Sequence, residues 1–498
     1  MIYFAWSSLA HSDFDRLAHG PRGQPAKHPV YVFRFDPSDG SLVLLNIHGD
    51  ASKVVNPAFS RYHPRLNVVY TCTEDIDTNG RVFAYTVGPN GELAQLGESV
   101  DAGGTSTCYI TIDKAQQHLL CVNYWDSTLS VIPISPETGE MLGPIKNMYD
   151  PKEGQKVQAA GRVHGGVNHS CNDENTIRMR QKDPHSHALV LDNYYGVIAY
   201  VPDLGKDLIR EFFYDAKVGN IPLELNVLPS GLCTGMPDGP RYFEFHPKYN
   251  VAYCINELSS TVAVFEVDVD LLKEIAAASS RNEDMTQFKG RSTLRLIQSI
   301  KTIPSAFPTT MNTCGRICVH KSGRFVIVSN RGHESIAVFK VKTKGPKKGE
   351  LVSVGFFHTR GETPRHFQFD ASGQYLLVAN QDSNSIAVFN FNLSSGEINY
   401  TGNEYRVPSP NFVCCCPSYD DSDDAMTNTS SEPVRVGGLL VNTAARSSKD
   451  EEDAGELSDS DQSATQPTAV HDKEGLLAEL ERARREIAEL KMQLQSGK

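Results

Sequence analysis

Residues 1–416 repeat one alternation of apolar and polar positions. In each copy, an apolar run rich in Val, Ile, Phe and Tyr leads through a short polar turn to a second apolar run. The two most similar copies read VSNRGHESIAVF and VANQDSNSIAVF, in which Asn330 and Asn380 occupy equivalent positions. The longer intervals between copies contain insertions at 149–182 and 269–295. A unit of about 50 residues is typical of one blade of a β-propeller.

Each unit predicts four antiparallel strands. The last unit has apolar stretches at 366–370, 375–381, 386–392 and 397–401, separated by turn residues. Six units are complete. The seventh is split between the two ends of the repeat region, with three strands predicted at 2–7, 30–35 and 42–46 and the inner strand at 412–416. Pairing both ends in one blade removes the sheet edge that an open array would expose. The sequence therefore predicts an all-β, seven-bladed propeller at 1–416.

The pattern stops after residue 416. Residues 417–472 contain 13 acidic and 3 basic side chains and few aromatic ones, a composition that predicts a disordered acidic linker. Residues 473–498 then predict a short helix with apolar positions at alternating spacings of four and three, the seam of a coiled coil. A solvated helix with a partial apolar stripe is the alternative, because so short a coiled coil needs a partner to be stable.

Composition excludes several classes of function. The formal net charge is −12 at pH 7, and most of it lies in the tail, so no basic surface is available for a nucleic acid. No apolar run is long enough to span a membrane, and the N-terminal apolar run lacks the basic flank of a signal peptide. The 11 Cys include no CxxC pair, which favours reduced thiols. We expect a cytoplasmic protein.

Reactive side chains recur at two positions of the unit, directly before the inner strand and directly after the second strand. In an antiparallel blade both positions lie at the same end, so these side chains should gather on one rim of the central channel. Before the inner strand stand 184–187, Pro240-Arg241 and 364–366. After the second strand stand Glu74-Asp75, Asn123-Tyr124, Asp203, 256–257, Asn330-Arg331 with His333, and 380–382.

Arg and His facing carboxylates around an enclosed channel suit the binding of an anionic substrate and proton transfer. For the Asn and Asp residues, capping of their own turns is the alternative. His164 and His169 lack the neighbouring ligands of a metal site, so we expect neither a metal nor a cofactor. His246 and His320 fall at the opposite turn, where we expect them to be solvated.

Eight motifs, in this order, carry a family resemblance: Asp183-Pro-His-Ser-His187, Val201-Pro-Asp-Leu-Gly205, Gly239-Pro-Arg241, Asn256-Glu-Leu-Ser-Ser-Thr261, Ser329-Asn-Arg-Gly-His-Glu-Ser-Ile336, Thr363-Pro-Arg-His366, Ala379-Asn-Gln-Asp382 and Val407-Pro-Ser-Pro410. Through them residues 1–416 resemble the lactonase family of seven-bladed β-propellers. That family includes propeller-type 6-phosphogluconolactonases and, more distantly, carboxymuconate-lactonizing enzymes. The resemblance implies metal-independent hydrolysis of an anionic sugar lactone, with 6-phosphogluconolactone converted to 6-phosphogluconate.

The resemblance also implies a set of site residues. Its catalytic positions correspond to His185, Arg241, Glu257 and Arg331, and its substrate-binding positions to His187, Asp203, His333, Arg365, His366 and Gln381. In this assignment His185 is the general base or the proton shuttle to the leaving ring oxygen. Arg241 and Arg331 hold the oxyanion and the substrate's anionic group. Glu257 orients an imidazole or an Arg.

Two positions depart from the family pattern. Tyr242 follows Gly-Pro-Arg where relatives often carry His, and Thr107-Cys108-Tyr109 replaces the usual Pro-Cys-His. A Tyr keeps a hydrogen-bonding hydroxyl but is not a base near pH 7. Two alternatives therefore stay open: a non-catalytic scaffold that acts through its rim and C-terminal helix, and a lactonizing or isomerising enzyme for another acid.

The C-terminal helix generates a first test. If residues 476–494 associate with themselves through Leu480, Ile487 and Leu494, removing 473–498 should lower the mass of the particle in solution below that of the full-length assembly. Static light scattering on the two chains measures this. Equal protomer numbers in both would exclude self-association and leave a helix of another protein as the partner.

Overall fold

Seven antiparallel β-sheets form the part of the chain that the computed structural model describes, residues 4–89, 91–151, 174–232 and 236–416. Six sheets have four strands, and the seventh has a fifth strand that pairs with its third. The inner strands of blades 1 to 3 contact each other in turn, as do those of blades 5 to 7, and the inner strand of blade 7 contacts that of blade 1 across the closure. Blade 4 contacts blade 5 through its second strand. The predicted all-β, seven-bladed propeller is thus confirmed. The linker and helix predicted for 417–472 and 473–498 lie outside the described residues and stay predictions.

Blades 1 to 3 contain the first twelve strands and the last one. They are β1 (Phe4–Ala10), β2 (Val30–Asp36), β3 (Ser41–His48), β4 (Pro57–Tyr62), β5 (Val68–Thr73), β6 (Asn79–Val87), β7 (Leu93–Gln95), β8 (Val100–Thr105), β9 (Thr107–Ile112), β10 (His118–Asn123), β11 (Leu129–Pro133) and β12 (Asn147–Tyr149). Blade 1 is β1 to β3 with β29, blade 2 is β4 to β8, and blade 3 is β9 to β12.

Blades 4 to 7 follow with four strands each. They are β13 (Val190–Leu191), β14 (Ile198–Asp203), β15 (Leu208–Asp215), β16 (Asn220–Pro229), β17 (Pro240–Phe245), β18 (Val251–Asn256), β19 (Thr261–Val267), β20 (Leu294–Lys301), β21 (Thr313–Val319), β22 (Phe325–Arg331), β23 (Ser335–Val341), β24 (Leu351–His358), β25 (Pro364–Phe369), β26 (Tyr375–Asn380), β27 (Ser385–Phe391) and β28 (Ile398–Arg406). The last strand, β29 (Pro410–Cys416), belongs to blade 1.

Blade 1 closes the ring. Its strand order is β29-β1-β2-β3, and Ser8 of β1 pairs with Val413 of β29. The innermost strand of this blade therefore comes from the far end of the domain, as the split seventh unit predicted. Because β29 also contacts the inner strands of blades 2 and 7, the ring has no open sheet edge at the closure.

Five of the inner strands begin with the same backbone irregularity. The residue before the strand has a positive φ in five blades, at Asn56, Ser106, Gly239, Thr363 and Ser409. In all five of these strands the second residue is skipped in the pairing register: Ala58 in β4, Cys108 in β9, Arg241 in β17, Arg365 in β25 and Asn411 in β29. Such bulges turn a side chain away from its regular direction.

The Asn residues at the ends of the second strands have a structural role. Asn123, Asn256 and Asn330 are fully buried. Each side-chain amide donates to a hydroxyl of the same blade and to a backbone carbonyl of the segment that precedes the blade in the chain. The Asn256 amide, for example, lies 3.1 Å from both Thr261 Oγ1 and Ser230 O. These contacts account for the recurring Asn residues without a role in substrate binding or catalysis.

His246 and His320 are buried, so the prediction that they are solvated was wrong. Each ring donates through Nε2 to a glycine carbonyl of the next blade, His246 to Gly323 at 2.7 Å and His320 to Gly373 at 3.0 Å. Nδ1 of His246 accepts two backbone N–H groups, from Lys248 and Tyr249. The repeat pattern of a single blade could not reveal a partner that the adjacent blade supplies.

In the described part of the chain, two helices lie in connections between strands. Helix α1 (Glu174–Arg180) precedes blade 4, and α2 (Val269–Ser280) joins β19 to β20 with a cap in which Asp268 accepts the N–H of Leu271 at 2.9 Å. Short 3₁₀ turns lie at Phe14–Arg16, Met285–Phe288 and Thr309–Met311. Among the described residues, neither helix is long and apolar enough to cross a membrane.

The buried imidazoles make stability depend on pH. Burial lowers the pKa of His63 and of His246 from 6.5 to about 4, so the unfolded chain takes up protons between pH 6.5 and 4 that the folded chain does not. The free energy of unfolding should therefore fall as the pH falls through this window, by up to about 1.4 kcal/mol per pH unit for each ring. Urea unfolding at several pH values measures the slope.

His246→Gln isolates one of these contributions, because Gln keeps a donor for the Gly323 carbonyl but does not titrate. The free energy of unfolding of this variant should change less steeply with pH than that of the wild type, because its unfolding takes up about one proton fewer. Parallel slopes for the two proteins between pH 6.5 and 4 would contradict this account.

Candidate active site

A cavity of about 420 Å³, part of it open to solvent, lies among the starts of the inner strands and the ends of the second strands. Its lining combines four guanidinium groups, two carboxylates and two imidazoles: Ala18, His19, Glu74, Ser106, Cys108, Tyr124, Arg180, His187, Arg241, Glu257, Arg331 and Arg365. A smaller adjoining cavity shares five of these residues and adds Tyr242, His366 and Phe412 among others.

The strand bulges bring side chains into this cavity. Three of the five residues that the pairing register skips, Cys108, Arg241 and Arg365, line it. The other two, Ala58 and Asn411, line the smaller cavity. Without the bulge, alternation along the strand would decide their direction. The same local distortion thus supplies a guanidinium from blade 5 and another from blade 7.

Glu257 is the centre of the charge network. It follows β18 directly, is buried, and its Oε1 lies 2.6 Å from Arg180 Nη2 and 3.0 Å from Arg331 Nη2. Its Oε2 lies 3.0 Å from Arg241 Nε. One carboxylate therefore holds three guanidinium groups, from α1, β17 and β22.

These contacts set the charge states. Burial alone would raise the pKa of Glu257, but Arg180, Arg331 and Arg241 outweigh it and hold that pKa well below its ordinary value. Burial and the neighbouring arginines lower the pKa of Arg331 to about 10 despite Glu257. At neutral pH the carboxylate and the guanidinium groups are consequently all charged.

Glu74 lies in a different environment. Its Oε1 is 3.4 Å from Arg365 Nη2 and its Oε2 is 3.7 Å from His19 Nδ1, both longer than the usual 2.7–2.9 Å of a charge-assisted hydrogen bond. Burial raises the pKa of Glu74, and Arg365 and Arg241 offset this only in part. The two carboxyl groups of the cavity thus have pKa values shifted in opposite directions.

The two histidines of the Pro-His-Ser-His motif occupy different positions relative to the cavity. His187 lines the cavity, with its ring between Tyr124 and Tyr242 and its Nδ1 3.7 Å from Cys108 Sγ. The ring of His185 stacks on Tyr124, and its Nδ1 is 3.1 Å from the Tyr124 carbonyl oxygen. His185 is thus adjacent to the lining rather than part of it, and its role as a base stays a prediction.

Asp203 and His333 lie outside the lining. Asp203 is fully buried, pairs with Arg210 at 2.8 Å and accepts the backbone N–H of His185 at 2.8 Å. Nδ1 of His333 is 2.7 Å from Ser335 Oγ. Both side chains hold the rim loops in place.

His366 and Gln381 are buried beside the cavity. His366 lines the smaller cavity, stacks on Phe412 and accepts the backbone N–H of Val413 through Nδ1 at 3.2 Å. The Gln381 amide nitrogen lies 2.9 Å from His11 Nδ1 and 3.2 Å from His19 Nε2. Gln381 thus contacts a lining residue without lining the cavity itself.

His19 and Arg180 are lining residues that sequence reasoning missed. His19 lies in the β1–β2 loop, and Arg180 ends α1 within the insertion before blade 4. Neither belongs to the repeated unit, so the two recurring positions could not reveal them. A lone Arg at the end of a short helix carries no signal of its own.

The Tyr substitutions take part in ring packing. Tyr242 lies under the Arg241 guanidinium, 4.3 Å from its central carbon, and 5.5 Å from the Tyr109 ring. Tyr109 packs further on Phe59.

Among the described residues no group of three His, Cys, Asp or Glu could hold a metal. His164 and His169 lie outside the described residues.

A known protein family matches the region of the chain that contains these residues. The family model described as "Lactonase, 7-bladed beta-propeller" matches residues 19–415. The chain belongs to this lactonase family. It is 29% identical over 388 residues to a 6-phosphogluconolactonase of Bacillus subtilis, covering 77% of this chain and 93% of the relative.

Solved structures of similar fold include two bacterial proteins. A periplasmic gluconolactonase of Pseudomonas aeruginosa superposes with a TM-score of 0.65 at 23% identity, covering 84% of this lactonase chain and 99% of its own. A protein from Lactobacillus plantarum gives a TM-score of 0.63 at 21% identity, with 83% and 99% covered. At identities this low, the structural similarity supports a shared propeller fold and nothing more.

The network around Glu257 predicts a large effect on stability. Glu257→Gln leaves three buried guanidinium groups without their counter-charge, so the free energy of unfolding should fall by about 3–5 kcal/mol. Chemical unfolding measures this. Glu274→Gln, at an exposed pair with Arg291, is the matched control and should leave stability unchanged within error. Equal stabilities for all three proteins would show that the Glu257 network is not the structural centre of the cavity.

Proposed function

We propose that this propeller lactonase hydrolyses an anionic sugar lactone to the open-chain acid, with 6-phosphogluconolactone as substrate and 6-phosphogluconate as product. The observation that carries the proposal is the convergence of Arg180, Arg241, Arg331 and Arg365 on one cavity. The choice of substrate is supported by the Bacillus subtilis relative that is named for this lactone.

The charge balance of the cavity favours an anion. Four guanidinium groups face two carboxylates, so positive charge is in excess before a substrate binds. Among the described residues, Nε and Nη1 of Arg180 are buried with no hydrogen bond of regular geometry, and Tyr124 is the nearby side chain that interacts with this guanidinium group. Leaving such donors unsatisfied is costly, and a phosphate supplies several acceptor oxygens for them.

Arg241 and Arg331 suit the oxyanion. Each already donates to a backbone carbonyl, Arg241 Nη1 to Gly315 at 2.7 Å and Arg331 Nη2 to Cys314 at 2.6 Å, which fixes the planes of both guanidinium groups. Donors held in place before the reaction stabilise a developing negative charge without a cost of reorganisation. In the proposed reaction they bind the carbonyl oxygen of the lactone as it becomes an oxyanion.

Lactone hydrolysis above the spontaneous rate tests this function. Arg331→Ala should raise the barrier by about 2–4 kcal/mol, the scale of losing an oxyanion donor. Arg180→Ala should raise KM for the phosphorylated lactone and have a smaller effect on the unphosphorylated sugar lactone. Arg178→Ala, on an exposed position of the same helix, is the control and should match the wild type. His185→Ala tests the base that the family resemblance implies: a loss of about a hundredfold or more would support that role, and activity near the wild-type level would leave the proton transfers to another group.

Two results would contradict the proposal. Wild-type protein that accelerates neither lactone would favour the scaffold alternative. Equal KM values of Arg180→Ala and wild type for the phosphorylated substrate would remove the assignment of Arg180 to the phosphate.

A further inference from the structure

Lactone hydrolysis needs two proton movements, one away from the attacking water and one towards the ring oxygen that leaves. The guanidinium groups of the cavity cannot supply them, because they stay protonated. The lining groups that can exchange protons are Glu257, His187, His19, Cys108, Tyr124 and Glu74.

Glu257 is not available for this task. Its two oxygens are engaged by three guanidinium groups at 2.6–3.0 Å, and a proton on this carboxyl would leave three buried cations facing one another. Its contacts make it a fixed anion that positions Arg180, Arg241 and Arg331.

His187 is poorly suited as a base. It is enclosed by Tyr124, Tyr242 and Cys108, and burial together with Arg241 holds its pKa well below 6.5. An imidazole that resists protonation so strongly is a weak proton acceptor near neutral pH.

Glu74 has a fixed backbone position, and its carboxylate oxygens make only long contacts. Its backbone N–H donates to Asn56 O at 2.9 Å, which anchors the residue directly after β5. Its side-chain contacts, to Arg365 at 3.4 Å and to His19 at 3.7 Å, are long. The carboxylate therefore lies in the cavity without being fully engaged by its neighbours, unlike that of Glu257.

We propose that Glu74 is the catalytic acid–base of this lactonase. The proposal rests on the lactone hydrolysis proposed above. The Glu74 carboxylate takes a proton from water as the water oxygen bonds to the lactone carbonyl carbon, which gives a tetrahedral oxyanion beside the guanidinium groups. When the bond between that carbon and the ring oxygen breaks, Glu74 gives the proton to the ring oxygen. The products are a hydroxyl and a carboxylic acid, which then ionises, and Glu74 returns to its starting state.

The surroundings of Glu74 decide its response to pH. The charged and titratable groups that face it come from the β1–β2 loop and from blades 3, 4, 5 and 7: His19, Cys108, His187, Arg241 and Arg365. Burial raises the pKa of Glu74 above the ordinary 4.5, against the opposing effect of Arg365 and Arg241. Since the base must be deprotonated, kcat/KM should rise with pH through an acid limb centred above 4.5.

Glu74→Gln provides the test in the full-length protein, with 6-phosphogluconolactone as substrate and the spontaneous rate subtracted. We expect kcat to fall at least a hundredfold, KM to change little, and the acid limb to disappear. Glu74→Asp keeps a carboxyl group and should recover part of kcat together with the limb. If Glu74→Gln does not fold, the Asp variant carries the test through a reduced kcat with the limb retained.

Glu334→Gln is the matched control. Burial raises the pKa of Glu334 to about 7, but its oxygens accept the N–H groups of Gly332 and Thr363, and it lies outside the cavity lining. This variant should keep the acid limb and kcat. Wild-type kcat in Glu74→Gln, or loss of the limb in Glu334→Gln instead, would overturn the role of Glu74 while leaving lactone hydrolysis intact. A wild-type protein that hydrolyses no lactone would overturn both.

Discussion

The ion pairs of one buried carboxylate, Glu257, hold the cavity together. Three guanidinium groups so close to one another would repel without it, and they come from α1, β17 and β22, which no backbone hydrogen bond joins directly. Because desolvation offsets most of the attraction in a buried ion pair, the main consequence of these contacts is placement. Donors from an insertion and from two blades are fixed towards the same space.

Most of the fold could be predicted because a blade repeats local rules. Alternating apolar runs and polar turns gave the strands and the closure by β29, and the recurring loop positions gave Arg241, Glu257, Arg331 and Arg365 as residues of one rim. The direction in which these side chains point could not be predicted from the sequence. Arg241 and Arg365 enter the cavity through bulges, which depend on the pairing of two strands and not on the pattern of one.

The remainder of the site required tertiary information. His19 and Arg180 lie in connections outside the repeat, where neighbouring positions give no comparison. His185 and His187 could not be distinguished, because their segment contains only the isolated bridge between Ser186 and Asp203 before β13 begins. For Glu74 the position was visible in the sequence, but its contrast with Glu257 arises from which arginines approach each carboxylate.

The closure by β29 has a consequence for synthesis. Translation completes β1 to β3 hundreds of residues before β29, an interval of roughly 20 to 70 s at about 5–20 residues per second. During that time β1 has no partner on its inner side, and the inner strands of blades 2 and 7 lack the neighbour that later lies between them. Blades 5 and 6, with Glu257, Arg241 and Arg331, can assemble within this interval. The wall that carries His19 is completed last, so a nascent chain holds its arginine cluster before it holds a closed cavity.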